Sequence, residues 1–415
     1  MQARQSELRS RQWAAVFITA IILVTTASAA AKEKVLYSFT GGSDGGDPAT
    51  ALVFDKSGNA YGTSVTGGAS GFGTVFELSP KSGGKWSEKA LYSFAGGSDG
   101  MYPYGGIAVD KNGDLYGTTV GGGNGSNCDG GCGTVFKLTK SGNSWSENVL
   151  YSFQGGADGF GPGGALIFDA KGNLYGTTPD GGASGNGTVY TMIPGKNGTW
   201  KEKVIHSFAG GNQGATGSLG ALLMDKSGNL YGVTETQGEF QAGTVYELSP
   251  EPKSKWKFAV LLEFEGAPDA GFPYGGLIFD KSGNLYGTTY YGGANGQGSV
   301  YELTPTRGQW VESVLYSFTG GKDGGSTTTT LVFDKKGNLY GTTSAGGDAK
   351  CGCGVVFKLA PSNGKWKESV AHAFSSTPDG AFAYYGLTLD KSGNLYSTTV
   401  QGGTHGQGTV FEIAP

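Results

Sequence analysis

The sequence predicts an all-β protein, a closed seven-bladed β-propeller of four-stranded antiparallel blades. Three observations carry this prediction. A unit of about 55 residues recurs seven times. Each unit offers four β-type segments and no helical period, and the first and last segments of the repeat array complement each other. Repeats of this length are typical of solenoids and propellers.

Three landmarks define the repeat and stay in phase along the chain. An aromatic-ended segment such as Leu36-Tyr37-Ser38-Phe39 recurs with successive Phe residues 54 to 59 positions apart. The patterns Asp-x-x-Gly-(Asn/Asp)-(Leu/Ala)-Tyr and Gly-(Thr/Ser/Val)-Val-(Phe/Tyr) each occur seven times as well. Collagen is excluded, because the 79 Gly residues follow no three-residue period and there are only 14 Pro residues.

The fifth unit shows the predicted strand order. Leu277-Ile278-Phe279 is a short apolar run, which suits a strand buried on both faces. The turn 280–284 follows, where Asp280 can bond backbone N–H groups and Gly283 can adopt a positive φ. The next strands are predicted at 285–289, 300–303 and 310–318, the last being the mixed polar and aromatic outer strand.

The two ends of the array predict closure of the ring. The last unit stops after its third strand, residues 410–413, whereas residues 32–39 form a fourth strand with no preceding three. Together they complete one blade, so the N-terminal strand is expected to pair with the C-terminal blade. The alternative is an open β-solenoid, which would expose two sheet edges.

The pattern Gly-Asn-Leu-Tyr-Gly-Thr-Thr, then Gly-Gly, then Gly-Thr-Val-Phe-Glu-Leu resembles the GloVer-type tandem repeat of exported, choice-of-anchor bacterial proteins. The resemblance covers nearly all of the chain after residue 29 and implies no activity. That family is often tethered by varied C-terminal sorting signals, none of which is recognisable before Pro415. A Tyr-containing strand followed by Gly-Gly, Val-Phe/Tyr and Trp is also distantly similar to kelch blades, which supports the strand order.

The N-terminal residues predict export. Residues 1–29 combine three Arg residues, an uncharged apolar stretch at 13–24 and the small-residue site Ala27-Ser28-Ala29, as in a signal peptide. A retained anchor is the alternative. Residues 30–415 are expected to be one propeller, monomeric, without a stable membrane span after cleavage, and secreted, periplasmic or on the cell surface. Removing three Arg and one Glu changes the net charge from −4 to −6, which disfavours nucleic acid as a partner.

The four cysteines form two local pairs, Cys128/Cys132 and Cys351/Cys353, each before a Gly-x-Val-Phe strand. Two disulfides are expected in an oxidising compartment, although a Cys-x-Cys bridge is geometrically tight. Zinc would need further His or Cys partners. The Asp-x-Ser-x-Asn hairpins lack the glycine and glutamate positions of a calcium loop. The sequence therefore predicts no metal and no cofactor.

Strand alternation places the variable loops on one face of the ring, which is where function is expected. Each loop between one blade and the next carries an Asp, replaced by Gln213 in the fourth copy, and an Asx-type turn is the simpler interpretation of it. Aromatic residues follow this position or lie in the neighbouring loop. They are candidate stacking platforms for sugar rings or peptide, or else packing around the central channel: Tyr102, Tyr104, Phe272, Tyr274, Tyr290, Tyr291, Phe382, Tyr384 and Tyr385.

The fourth unit departs most from the others, with His206 for Tyr and residues 234–240 where other copies have Gly-Gly. Asp180 with Glu235 or Glu239 could form a carboxylate pair for glycoside chemistry, and drift in one blade is the alternative. The sequence favours a non-catalytic binding module for carbohydrate or protein on the variable face. A carbohydrate-active hydrolase or lyase using these carboxylates, and a structural surface protein, are the alternatives.

Overall fold

The computed structural model describes residues 32–214 and 220–415 of the chain. Within these ranges the strands form seven four-stranded antiparallel blades arranged in a ring, as the sequence predicts. The predicted signal peptide, residues 1–29, lies outside the described residues. No helix in the described part of the chain is long and apolar enough to cross a membrane.

The two inner strands of each blade are short. The first strands have two residues each: Val53–Phe54, Ala108–Val109, Ile167–Phe168, Leu223–Met224, Ile278–Phe279, Val332–Phe333 and Thr388–Leu389. The second strands carry the repeated Tyr-Gly or Tyr-Ser pair: Ala60–Thr66, Leu115–Thr119, Leu174–Thr178, Leu230–Thr234, Leu285–Gly292, Leu339–Thr342 and Leu395–Thr399. The two residues of each first strand are half-buried rather than fully buried, and the apolar residue just before each strand, such as Leu277, is buried.

The two outer strands are longer. The third strands are Thr74–Pro80, Thr134–Ser141, Thr188–Pro194, Thr244–Glu251, Ser299–Thr306, Val355–Ser362 and Thr409–Ala414. The fourth strands are Trp86–Ser93, Ser144–Ser152, Trp200–Ser207, Lys255–Glu263, Gln309–Ser317, Lys365–Ala373 and Lys32–Ser38. Short additional strands lie at Gly46–Pro48, Ala270–Pro273, Gly380–Ala381 and Gln401–Gly402, and 3₁₀ turns at Ser82–Gly84, Lys196–Gly198, Gly211–Gln213 and Pro252–Ser254.

The predicted hairpin chemistry is confirmed in the turn between the first and second strands. In the fifth blade, Asp280 Oδ1 accepts hydrogen bonds from the N–H groups of Ser282 and Asn284, at 2.8 and 2.9 Å. The Asn284 side chain donates to Asp280 Oδ2 at 3.0 Å. The aspartate therefore satisfies the backbone donors of its own turn.

Ring closure is also confirmed. Lys32–Ser38 pairs antiparallel with Thr409–Ala414, with Lys32 opposite Ala414 and Ser38 opposite Thr409. The seventh blade is joined to the segment that leads into the first by a hydrogen bond from Thr398 Oγ1 to the Thr50 carbonyl, at 2.9 Å. The N-terminal strand is thus the outer strand of the C-terminal blade.

Neighbouring blades are held together by paired aromatic rings. The Phe that follows each fourth strand is fully buried and packs edge-on against the third-strand aromatic of the next blade. Phe153, for example, lies 5.1 Å from Tyr190 between ring centroids, and Phe374 lies 5.2 Å from Phe411. The apolar core is therefore distributed over the contacts between blades, as expected when each repeat buries its faces against its neighbours.

A polar arrangement recurs beside this core. Between the first and second blades, Tyr92 donates its hydroxyl hydrogen bond to Asp99 at 3.0 Å, and the buried Glu147 of the second blade interacts electrostatically with Asp99. We call this arrangement an inter-blade carboxyl site. The same Tyr–Asp bond recurs in three other places: Tyr37–Asp44, Tyr151–Asp158 and Tyr316–Asp323.

Both predicted disulfides are present. Cys128–Cys132 and Cys351–Cys353 each have a Cα–Cα separation of 5.2 Å. Each closes a loop between the second and third strands. The four cysteines are thereby accounted for.

Candidate functional site

A cavity of about 580 Å³ opens at the variable-loop end of the central channel. Its inner wall is made by the segments that lead into the first strands, which carry mostly small residues there. Small side chains leave the channel open. The described lining residues of this wall include Ala51, Gly106, Gly163, Ala165, Gly220, Ala221, Gly275, Gly276 and Gly386.

The rim of this cavity is aromatic, and its aromatic residues come from only some of the blades. Six tyrosines from the second, fifth and seventh blades line it: Tyr104, Tyr274, Tyr290, Tyr291, Tyr384 and Tyr385. The rings of Tyr104 and Tyr385 meet edge-on at 6.1 Å, and those of Tyr274 and Tyr290 lie 6.5 Å apart. Tyr291 is 51 % exposed and Tyr384 is 37 % exposed, so both offer ring surface to solvent.

The tyrosines of the rim lie close enough to influence one another's pKa. Burial, with Glu235 and Tyr104 nearby, raises the pKa of Tyr274 to about 12. Burial and the neighbouring Tyr104 raise the pKa of Tyr385 well above its usual value. These hydroxyls are therefore neutral near pH 7 and can both donate and accept hydrogen bonds.

One carboxyl group joins the tyrosines. Glu235 follows directly after the second strand of the fourth blade and lines the cavity, and burial raises its pKa. Among the described lining residues, neither Asp180 nor Glu239 occurs. Asp180 is solvent-exposed, and its backbone forms a β-bridge with Phe160. Glu239 is also exposed, and its backbone N–H group donates a hydrogen bond to the Glu263 carboxylate. The structure thus brings Glu235 to the cavity without the other two carboxylates.

Three of the sequence-selected aromatics lie behind the rim. Tyr102 packs edge-on against Phe72 at 5.8 Å, while Phe272 and Phe382 pack against hydrophobic clusters between blades. All three have a positive φ of 58° to 61°. Each donates its N–H group to a carbonyl of the preceding blade, as from Tyr102 to Phe72 at 2.9 Å. Each lies two residues before a tyrosine that lines the cavity, and none of the three is itself a lining residue.

Sequence reasoning missed one cluster of potential ligand groups. Glu33, His372 and Asp379 bring their donor atoms within 4.8 Å of one another at the interface between the sixth and seventh blades. His372 stands where four of the other repeats have Tyr, and this substitution is the signal that could have found it. His206 makes the same substitution in the third blade, but there it stacks on Phe258 at 4.1 Å, and burial lowers its pKa to about 4.

Solved structures with the same general fold exist, at low sequence identity. A presumed 6-phosphogluconolactonase from Bacteroides uniformis aligns with a TM-score of 0.52 and 15 % identity, covering 82 % of this chain and 88 % of that one. A protein of unknown function from Dyadobacter fermentans has a TM-score of 0.46 and 13 % identity, over 82 % of this chain and 98 % of that one. A presumed oxidoreductase (glucose dehydrogenase) from Thermus thermophilus has a TM-score of 0.46 and 17 % identity, over 75 % and 96 %.

At these identities the first similarity concerns the fold alone. No curated protein matches the sequence. The sequence profile of the Gloeobacter/Verrucomicrobia repeat matches residues 89–271 and 218–415, which together span most of the chain. The matched residues include the strands of the second to sixth blades described above. The chain belongs to the Gloeobacter/Verrucomicrobia repeat family.

Proposed function

We propose that this protein is an exported, non-catalytic binding propeller whose site is the tyrosine-lined mouth of the channel, with carbohydrate as the ligand class. One observation carries the proposal: six tyrosines and Glu235 converge on a single cavity of about 580 Å³. This volume lies within the range of about 300–1,000 Å³ that small-ligand sites occupy.

The chemistry of the rim suits a neutral, polyhydroxylated ligand. A sugar ring has apolar C–H faces and hydroxyl edges. The exposed rings of Tyr291 and Tyr384 supply apolar surface, and the neutral hydroxyls of Tyr274 and Tyr385 supply hydrogen-bonding groups. Glu235 adds an acceptor at the wall. A peptide could use the same rings, so protein remains the second ligand class to be tested.

The distribution of carboxylates favours binding over hydrolysis. A glycosidase needs a second carboxyl group about 5–10 Å from the first. Within the described residues, Glu235 is the one carboxylate in the cavity lining. The hydrolase alternative, with Asp180 and Glu235, is tested by the same experiment as the binding proposal.

The two disulfides support the exported location in this proposal, because such bonds persist in oxidising compartments. Export through residues 1–29 remains a prediction. Recovery of the protein outside the cytoplasm with its N-terminus at residue 30 would test it.

The binding test is a glycan array followed by calorimetry on the best ligand. We expect Tyr384→Ala and Tyr274→Ala each to weaken binding about tenfold, since about 1.4 kcal/mol of lost stacking or hydrogen bonding corresponds to one factor of ten. The matched control is Phe240→Ala. Phe240 is an aromatic on the same face, 48 % exposed, and outside the cavity lining.

Unchanged glycan binding in a triple variant with Ala at 104, 274 and 384 would count against this site. Cleavage of a polysaccharide, abolished by Glu235→Gln in a folded protein, would instead establish the hydrolase alternative. Glu235→Gln is expected to keep ligand binding within a few-fold if the site only binds.

A further inference from the structure

The interface between the sixth and seventh blades differs from the other inter-blade carboxyl sites. His372, on the fourth strand of the sixth blade, replaces the Tyr. Its Nε2 lies 2.9 Å from Oδ2 of Asp379, in the loop that leads into the seventh blade. Glu33, on the N-terminal strand of the seventh blade, supplies the third group, and all three potential ligand atoms lie within 4.8 Å of one another.

Glu33 carries an unsatisfied atom at this place. Its Oε1 is buried and has no hydrogen-bond partner. An unpartnered buried carboxylate oxygen is costly unless a proton or a cation neutralises it. At the interfaces that have Tyr, such as Tyr92–Asp99–Glu147, the corresponding Glu oxygen is equally unpartnered, but no nitrogen ligand stands beside it. The imidazole is what distinguishes this interface.

We propose that Glu33, His372 and Asp379 form a zinc site. Imidazole nitrogen and carboxylate oxygen are both ligands of Zn²⁺, with bonds of about 2.0–2.2 Å, and three protein ligands leave a fourth position to water. Donor atoms within 4.8 Å of one another can close around such an ion with small side-chain rotations. The sequence prediction of no metal rested on the cysteine pairs, the small number of histidines and the hairpins, and it did not single out His372.

Groups around the site hold two of the ligands in place. The carboxylate of Asp379 accepts hydrogen bonds from the N–H groups of Ser375 at 3.0 Å and Gly380 at 2.7 Å. The His372 ring packs edge-on against Phe374, with 5.0 Å between centroids. Outer-shell contacts of this kind fix ligand orientation in metal sites.

The simpler interpretation is an ion pair between His372 and Asp379 that replaces the Tyr–Asp hydrogen bond. Zinc and this pair are mutually exclusive, because the metal needs the lone pair of neutral Nε2 and releases any proton held there. The ion pair leaves Glu33 Oε1 without a partner, whereas zinc gives the Glu33 carboxylate a cation. Measurement of metal binding separates the two interpretations.

A metal ion at this location would affect the stability of the closed ring. Glu33 lies on the strand that closes the ring, and the two other ligands belong to the preceding blade and loop. A bound ion would cross-link the closing strand to its neighbour. Because a ligand that binds only the folded state stabilises it, zinc should raise the unfolding temperature.

The test uses the untagged protein, from which EDTA has removed any metal. Zinc chloride is titrated into it in a calorimeter, and thermal unfolding is then measured with and without zinc. We expect one zinc per chain, a higher unfolding temperature, and visible absorption bands of a tetrahedral site when Co²⁺ replaces zinc. His372→Tyr recreates the arrangement of the other interfaces, so it should fold and keep the bond to Asp379 while losing both the zinc stabilisation and the cobalt bands.

Glu33→Gln provides a second variant, in which we expect at least tenfold weaker zinc binding. His405→Ala, which removes a histidine in a surface loop, is the control and should bind zinc as the parent does. The proposal is overturned if the parent binds no zinc, or if zinc affinity is the same in His372→Tyr and Glu33→Gln as in the parent. A failure of glycan binding leaves this test unaffected, because the two sites share no residue.

Discussion

At the scale of single residues, the most repeated feature is a buried glutamic acid beside an aspartate. Burial, followed by the charge of the neighbouring Asp, raises the pKa of Glu88 to about 8 and those of Glu147, Glu202 and Glu368 to about 7. Two carboxyl groups in such proximity are expected to share a proton near neutral pH. The sequence showed the Asp positions but not these partners, because the Glu comes from the fourth strand of the next blade and only the fold brings it near.

These carboxyl groups predict that the protein is more stable in mild acid than in mild base. Their pKa is raised in the folded state, so the folded protein holds more protons than the unfolded chain, where a glutamate has its ordinary pKa of 4.5. This contribution is fully present below that value and is lost as the pH rises through about 7 to 8. We therefore expect the unfolding temperature to fall between about pH 5 and about pH 9.

The double variant Glu147→Gln with Glu202→Gln should show a smaller decrease over the same pH range, since the amides do not titrate. Glu239→Gln, at an exposed position, serves as the control and should follow the parent. Thermal unfolding measured at each pH provides the data. A stability that rises steadily over this range would contradict the assignment.

At the scale of the strand and loop, the blades depend on backbone positions where a side chain has no room. Gly100, with φ +107°, lies against the second and third strands of its blade. A Cβ there would lie 2.7 Å from Thr119 Cγ2 and 2.9 Å from Thr134 Oγ1. The two threonine hydroxyls are hydrogen-bonded to each other at 2.8 Å, so neither is free to move away.

We expect Gly100→Ala to destabilise the protein by about 2–4 kcal/mol, because it combines a strained φ with overpacking. Gly113 is the matched control. It has φ +86° in a hairpin, and a Cβ at this position would meet no atom within 4 Å, so Gly113→Ala should cost only about 1 kcal/mol. Denaturant unfolding of the two variants measures the difference, and equal costs would show that packing around Gly100 is unimportant.

At the scale of the whole molecule, the sequence predicted the number of blades and the strand order from a pattern repeated seven times, and it predicted the closure from the complementary ends of the repeat array. It predicted the candidate site less fully. Tyr104, Tyr274 and Tyr384 line the cavity, whereas Tyr102 and Phe272 lie behind it. Residues of the two groups lie two positions apart in the same segment. Which of them faces the cavity depends on the positive φ of Tyr102 and Phe272, and the sequence did not reveal that backbone conformation. Contacts between blades, such as that of His372 with Glu33, join residues far apart in the chain, and the sequence marks this one only by the replacement of the repeated Tyr by His372.

Removal of residues 32–39 should leave the strand Thr409–Ala414 unpaired along its outer edge. It also removes Phe39, which is fully buried and packs 5.1 Å from Phe76. We expect a lower unfolding temperature and association through the exposed edge, detectable by light scattering. Lys34→Ala, an exposed position on the same strand, should stay close to the parent. A truncated protein that stays monomeric and melts at the parent temperature would contradict the importance of closure.

The pairing of Lys32 with Ala414 joins positions 382 apart in the chain, the difference between 414 and 32. Most other strand pairs are hairpins between near neighbours and can form as soon as their own segment is available. The long-range pair carries the largest loop entropy, so it is expected to form late and slowly. Folding of this protein should therefore pass through an intermediate with an open ring. In it six blades are complete, and the seventh still lacks its pairing with the N-terminal strand, which is synthesised first.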